Sequence, residues 1–216
     1  MKLKPTLIAI TGLLAGALTS NAAQFSLFNV QGGPGVDTLF ANVDGSLMDG
    51  SGFVTMGYFG PTITVADIDT AEELVAQLVG FTAVQTAVPG TSSAFTAAGY
   101  LAEDPTVVPI VTGNPLIGRV IYAIASDVAN LASVVETSGL ALFQVATILD
   151  DNPVEQSYVA NPAGVTPIIG ELGTFNGDLG LGDGEYTTLK LVAVPEPSAA
   201  LLGALGALGL LRRRRI

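Results

Sequence analysis

Thr38-Leu39-Phe40-Ala41-Asn42-Val43 and Phe53-Val54-Thr55-Met56-Gly57-Tyr58-Phe59 are two short apolar and aromatic runs, separated by Asp44-Gly45 and Asp49-Gly50. Each run is too short for a stable helix and rich in residues that suit a pleated, half-buried surface. Asp-Gly pairs favour tight reversals, so the stretch predicts a β-hairpin with a long loop. Ala94–Leu101, Gly118–Ala125, Leu140–Leu149 and Tyr186–Val194 have the same character, with Pro105, Pro109, Pro115, Pro153, Pro162 and Pro167 marking loops between them.

One strong helical signal interrupts the strands. Ile68, Ala71, Val75, Leu78 and Val79 share a face, Asp67, Asp69, Glu72 and Glu73 crowd the first turns where the helix dipole favours acids, and Thr70 with Glu73 has the spacing of a capping box. A second, weaker helix is expected over Ser126–Val135. Strands outnumber helices and follow one another directly, which predicts a mainly β, β-rich α+β fold: an antiparallel sheet or sandwich with one or two packed helices.

Both ends of the chain differ from this body. Lys2 and Lys4 precede an apolar stretch from Leu7 to Leu18, and Ser20-Asn21-Ala22 places small residues before a cut after Ala22. Charge, length and small-residue end together are those of a cleaved signal peptide over 1–22. At the other end Val194-Pro195-Glu196-Pro197 stops regular structure, since proline lacks a donor and restricts its neighbour. The uncharged run Ser198–Leu211 follows, then Arg212, Arg213, Arg214 and Arg215. As a helix that run is roughly 21 Å long, short of a hydrocarbon core of about 30 Å, a gap that snorkelling arginines and local thinning close. A C-terminal transmembrane helix with a cytoplasmic Arg tail is therefore expected, and the lysines of the leader predict the same orientation, with the body outside.

The expected single exported domain, 23–193, is strongly acidic. Of eight basic residues six lie in the two ends, leaving Arg119 and Lys190; of nineteen acids only Glu196 lies outside the body. Eighteen acids against two bases exclude a grip on a phosphate backbone, so no nucleic-acid partner is expected. The chain has neither cysteine nor histidine. No disulfide supports the fold, and catalytic triads and histidine-ligated zinc are excluded.

Two loops carry oxygen ligands. Gly32-Gly33-Pro34-Gly35-Val36-Asp37-Thr38-Leu39-Phe40 fits the calcium-binding nonapeptide G-G-x-G-x-D-x-U-x, making Asp37 a candidate ligand. A single copy lacks the stacked neighbour such sites use, and a glycine-rich turn entering a strand is the simpler account. In Asn176–Glu185 the candidates are Asp178, Asp183 and Glu185, without EF-hand spacing. Phe53–Tyr58 and Phe95–Tyr100 echo each other, each with an aromatic four residues before a Gly-Tyr pair. Two copies do not make a propeller; paired strands in which an aromatic shields a glycine gap are expected instead.

The C-terminal order of VPEP, apolar run and arginines, Val194–Ile216, resembles the PEP-CTERM sorting signal of exported proteins of Gram-negative bacteria. The body, including Gly57-Tyr58-Phe59, is similar to small PEP-CTERM proteins of Verrucomicrobia-type bacteria. The resemblance implies an exosortase, a membrane transpeptidase-like protease, as partner, with Pro195, Glu196 and Pro197 as the recognised residues. It also implies delivery to the cell surface or extracellular matrix of a bacterium that makes exopolysaccharide. The expected function is a structural or adhesive surface protein rather than an enzyme, with no cofactor required. A calcium-stabilised binding module and a glycoside hydrolase using a pair of carboxylates are the alternatives.

Overall fold

The computed structural model describes residues 22–92, 95–109, 114–135, 137–147 and 156–194. Its strands are β1 Ala22–Leu27, β2 Thr38–Ala41, β3 Phe53–Phe59, β4 Phe81–Ala87, β5 Thr106–Pro109, β6 Val120–Ser126, β7 Gly139–Thr147, β8 Gln156–Ala160, β9 Glu171–Asp178, β10 Asp183–Lys190 and β11 Val192–Ala193. Among the described residues one α-helix, α1 Ala71–Gln77, accompanies them. The fold is β-rich, as the sequence predicts.

The strands form three sheets. Five pair in the order β11-β7-β6-β3-β4, all antiparallel, and two three-stranded sheets have the orders β5-β1-β8 and β2-β10-β9. Each smaller sheet contains one parallel pair, β1 with β8 and β2 with β10, so the expected antiparallel pattern holds throughout only in the larger sheet. Parallel pairs need long connections, and here six strands, β2 to β7, come between β1 and β8 in the chain.

The five-stranded sheet is buried on both faces. Val54 and Met56 of β3, Ile121, Ala123 and Ala125 of β6, and Ala141 and Phe143 of β7 pack with Phe25 and Leu27 of β1, Phe40 of β2 and Leu189 of β10. On the opposite face Phe59, Ile124, Leu140 and Leu142 meet Ala71 and Leu74 of α1, with Ile68, Ile169 and Val194. This two-sided burial explains why β3, β6 and β7 read as nearly unbroken apolar runs without a polar alternate face. With no disulfide in the chain, these contacts are its main source of stability.

The capping box forms where the sequence predicts it, but the helix is shorter than expected: Asp67, Ile68 and Asp69 precede it, and Val79 lies in the 3-10 turn after it, exposed. Thr70 caps the helix, the Glu73 amide donating to Thr70 Oγ1 at 3.2 Å while the Glu73 carboxylate accepts from the amides of Asp69 and Thr70 at 2.8 and 3.0 Å. Those amide bonds, Asp69's foremost, hold the Glu73 carboxyl below its ordinary range.

Other expectations need correction. β2 and β3 lie close to the predicted runs but do not pair; β2 lies beside β10, and β3 between β4 and β6. The Asp44-Gly45 turn closes a smaller reversal instead, in which the amide of Met48 donates to the carbonyl of Phe40 at 3.0 Å and Ala41 bridges Leu47. Tyr186–Val194 is not one strand: the chain breaks at Leu191, whose amide donates to the Ala41 carbonyl at 3.0 Å, and passes from one sheet to the other. Over Ser126–Val135 only a 3-10 turn, Leu131–Ser133, forms. Ser126 Oγ donates to the Gly139 carbonyl at 2.8 Å and Asp127 accepts from the Gly139 amide at 2.8 Å, which holds the start of that segment extended. In the predicted strand Ala94–Leu101, residues 93–94 lie outside the described set, and Phe95–Leu101 is a turn around Gly99 at φ +77°. The Phe53/Phe95 echo therefore joins a strand to a turn. Among the described residues no helix is long and apolar enough to cross a membrane; the expected span Ser198–Leu211 lies outside them.

At Gly57 the β3–β4 register shifts, and a Cβ there would lie 2.1 Å from the Thr82 carbonyl oxygen and 2.8 Å from the Phe81 ring. Gly57→Ala is expected to destabilise the fold by about 2–3 kcal/mol through overpacking, measured by denaturant unfolding.

Candidate functional site

Asp37 ends the glycine-rich loop and is fully buried. Its carboxylate accepts from the amides of Gln31 (2.5 Å), Gly32 (3.0 Å) and Gly33 (3.0 Å), and from the Tyr100 hydroxyl at 2.7 Å. A carboxylate offers about four lone-pair sites, and four donors fill them. The carboxylate that the nonapeptide pattern assigns to calcium thus binds the protein's own donors. Gly33 is required here, because its φ is +105° and a Cβ would lie 2.7 Å from the Leu181 carbonyl oxygen.

The same region holds two groups that the sequence did not mark as part of a site. Asn29 is buried, donating through Nδ2 to the carbonyls of Thr38 (2.9 Å) and Gly99 (3.0 Å) and accepting from the Leu101 amide at 2.7 Å. These side-chain bonds replace the ladder that a strand over 94–101 would have supplied. Tyr100 packs edge-on to Phe95, with ring centroids 4.7 Å apart, and to Tyr186 at 6.5 Å. Burial and the bond to Asp37 push the Tyr100 hydroxyl far above the ordinary tyrosine range. The Tyr186 hydroxyl, donating to the Gly182 carbonyl at 2.7 Å, is also pushed up, chiefly by burial. The repeated Gly-Tyr pair was the one sequence signal at Tyr100, and it concealed a turn.

The two oxygen-rich loops do meet. The Gly35 amide donates to the Glu185 carbonyl at 2.9 Å, and Pro34 lies against Gly184 in the β9–β10 hairpin. Asp178 and Asp183 face each other across that hairpin, both exposed, and Asp178 accepts from the Gly180 amide at 2.9 Å; Glu185, also exposed, is two register positions away from them, opposite Asn176. Among the described residues no three acidic side chains converge as a metal site.

Two shallow clefts flank Ile63. One, about 300 Å³, is lined by Thr62, Thr64, Asp67, Glu73 and Gln77. The other, about 200 Å³, lies beside Arg119 and Tyr122. Lys190 pairs with Glu171 at 3.8 Å, whereas Arg119 has no ion pair among the described residues, its Nε donating to the Pro115 carbonyl at 3.2 Å. The hollow beside Arg119 is smaller than those that enclose drug-sized molecules.

The ends of the body are ordered into the sheets. Ala22, the expected cleavage residue, begins β1 opposite Pro109 and is 7% exposed. Val194 is 3% exposed, and its amide donates to the Ser138 carbonyl at 3.2 Å. Residues 1–21, the sorting residues Pro195, Glu196 and Pro197, and Arg212–Arg215 lie outside the described residues.

Residues 193–215 match the family model of the PEP-CTERM protein-sorting motif. The chain carries a PEP-CTERM sorting motif. That motif supports an exported protein, anchored through its C-terminus and processed by an exosortase. No curated protein matches the chain, and neither does any solved structure. The motif begins at Ala193, inside β11, so folded body and sorting signal share residues.

Asp37→Asn places an amide donor among groups that all donate, and is expected to cost about 2–4 kcal/mol in denaturant unfolding. Tyr100 has a folded pKa raised above its unfolded value of about 10, so its stabilisation is complete below that pH and is lost as pH rises beyond it. Melts between pH 8 and pH 11 are expected to show a falling melting temperature in the parent and a smaller fall in Tyr100→Phe, whose starting stability is lower.

Proposed function

We propose that the protein is a structural or adhesive component of the cell surface or extracellular matrix, placed there by its sorting signal in a cell that makes exopolysaccharide. The observation that carries this reading is the PEP-CTERM motif directly following a folded, acidic body. The signal peptide sends the chain across the membrane, and the apolar run Ser198–Leu211 holds it until processing. The basic residues at both ends keep the body outside. A body with eighteen acids and two bases remains soluble and hydrated at high local density, which suits a matrix component.

Recognition rests on Pro195, Glu196 and Pro197. Glu196→Ala is expected to leave the full-length form in the membrane fraction and to lower surface-exposed protein about tenfold, read by cell fractionation and surface labelling. Unchanged processing and delivery would refute recognition of the motif. For the adhesive role, the released protein is expected to co-sediment with the cell's own exopolysaccharide; recovery entirely in the supernatant counts against adhesion.

A further inference from the structure

The sorting signal starts with almost no free chain between it and the folded body. Val192 pairs with Leu140 and Ala193 with Gly139 at the edge of the five-stranded sheet. The next residue, Val194, is buried with Ile124, Leu140 and Leu142 and is held by the Ser138 carbonyl. Pro195 follows immediately. From Val194 to Glu196 the chain reaches at most about 7 Å, and to Ser198, where the apolar run begins, about 14 Å. The polar layer of a bilayer takes up roughly 5–7 Å of that distance. A folded edge so close to the membrane leaves little room for an enzyme over the motif. An enzyme that grips an extended segment also needs backbone on the N-terminal side, and there the backbone is paired with β7.

We propose that β11 with Val194 is a detachable strap: the sorting enzyme acts on the chain after Val192–Val194 peel away from β7, and the sheet edge thereby sets the rate of processing. This rests on processing at the PEP-CTERM motif. The strap has a natural stop, because Leu191 is fully buried and its amide is bonded to Ala41 in the neighbouring sheet. Peeling to that point frees three residues, about 10 Å of chain, and leaves β7 paired with β6. Two paired residues at a sheet edge, one of them exposed, open far more readily than the core strands.

The test is pulse-chase of the full chain in cells that process it, with two variants. Insertion of Gly-Ser-Gly-Ser between Val194 and Pro195 supplies free chain without touching the fold, and is expected to speed processing about threefold or more. The double substitution Leu140→Cys with Val192→Cys staples the strap; the chain has no cysteine, so this is its only disulfide. Oxidised, it is expected to process about tenfold more slowly than the same variant given reductant. Equal rates for spacer and parent, together with equal rates for oxidised and reduced staple, overturn the strap and leave the sorting reading intact. A parent chain that is never processed overturns the sorting reading, and the strap with it.

Discussion

A buried carboxylate organises one end of this molecule. Asp37 collects three consecutive backbone amides and one phenol, and each donor belongs to a segment that otherwise lacks regular structure. Isolated in an apolar interior such a charge is strongly unfavourable, so its presence requires all four donors together. The glycine loop, the Phe95–Leu101 turn and the start of β2 are therefore coupled: none of them can adopt its shape without the others. Asn29 extends the coupling by taking the backbone groups of Thr38, Gly99 and Leu101. With Tyr186 the arrangement reaches β10, and through β10 it fixes the hairpin with β9.

The remainder depends on a sheet with two covered faces. Smaller sheets lie on one side, and α1 with its approach loop on the other. Because the strands that do this lack a polar face, they are legible as continuous apolar runs, and β3, β6 and β7 fall close to where the sequence puts them. The capping box at Thr70 is equally local and equally legible.

What the sequence obscures is partnership and the weakly marked strands. β9, Glu171–Asp178, has four residues among Gly, Asn and Asp that are typical of turns, and it is a strand because β10 pairs with its whole length. β1 is hidden by its neighbourhood, since its first residue, Ala22, reads as the small-residue end of a leader. The pairing of β2 with β10 joins residues far apart in the chain, which no local pattern encodes. At the candidate site the nonapeptide pattern singled out Asp37 as a calcium ligand, and in the fold its carboxylate takes four internal donors. The contribution of Tyr100 comes from the tertiary fold alone. The chemistry of the C-terminus was legible because a sorting signal is read as linear sequence and needs no fold around it.

The parallel pairing of β1 with β8 bears on the order of events during secretion. Residue 23 lies opposite residue 108 on one side and residue 156 on the other, so the first strand waits for β5 to emerge and its sheet is complete only once β8 has followed. A chain threaded N-terminus first through a narrow channel thus emerges with β1 unpaired, and the sheet around it closes late. The cost is a long interval in which apolar strands stand open to proteases and to one another, as expected when contacts are distant in sequence. High negative charge offsets that exposure, since neighbouring unfinished chains repel. The topology that makes the finished body compact thereby also works as a timer for its assembly outside the membrane.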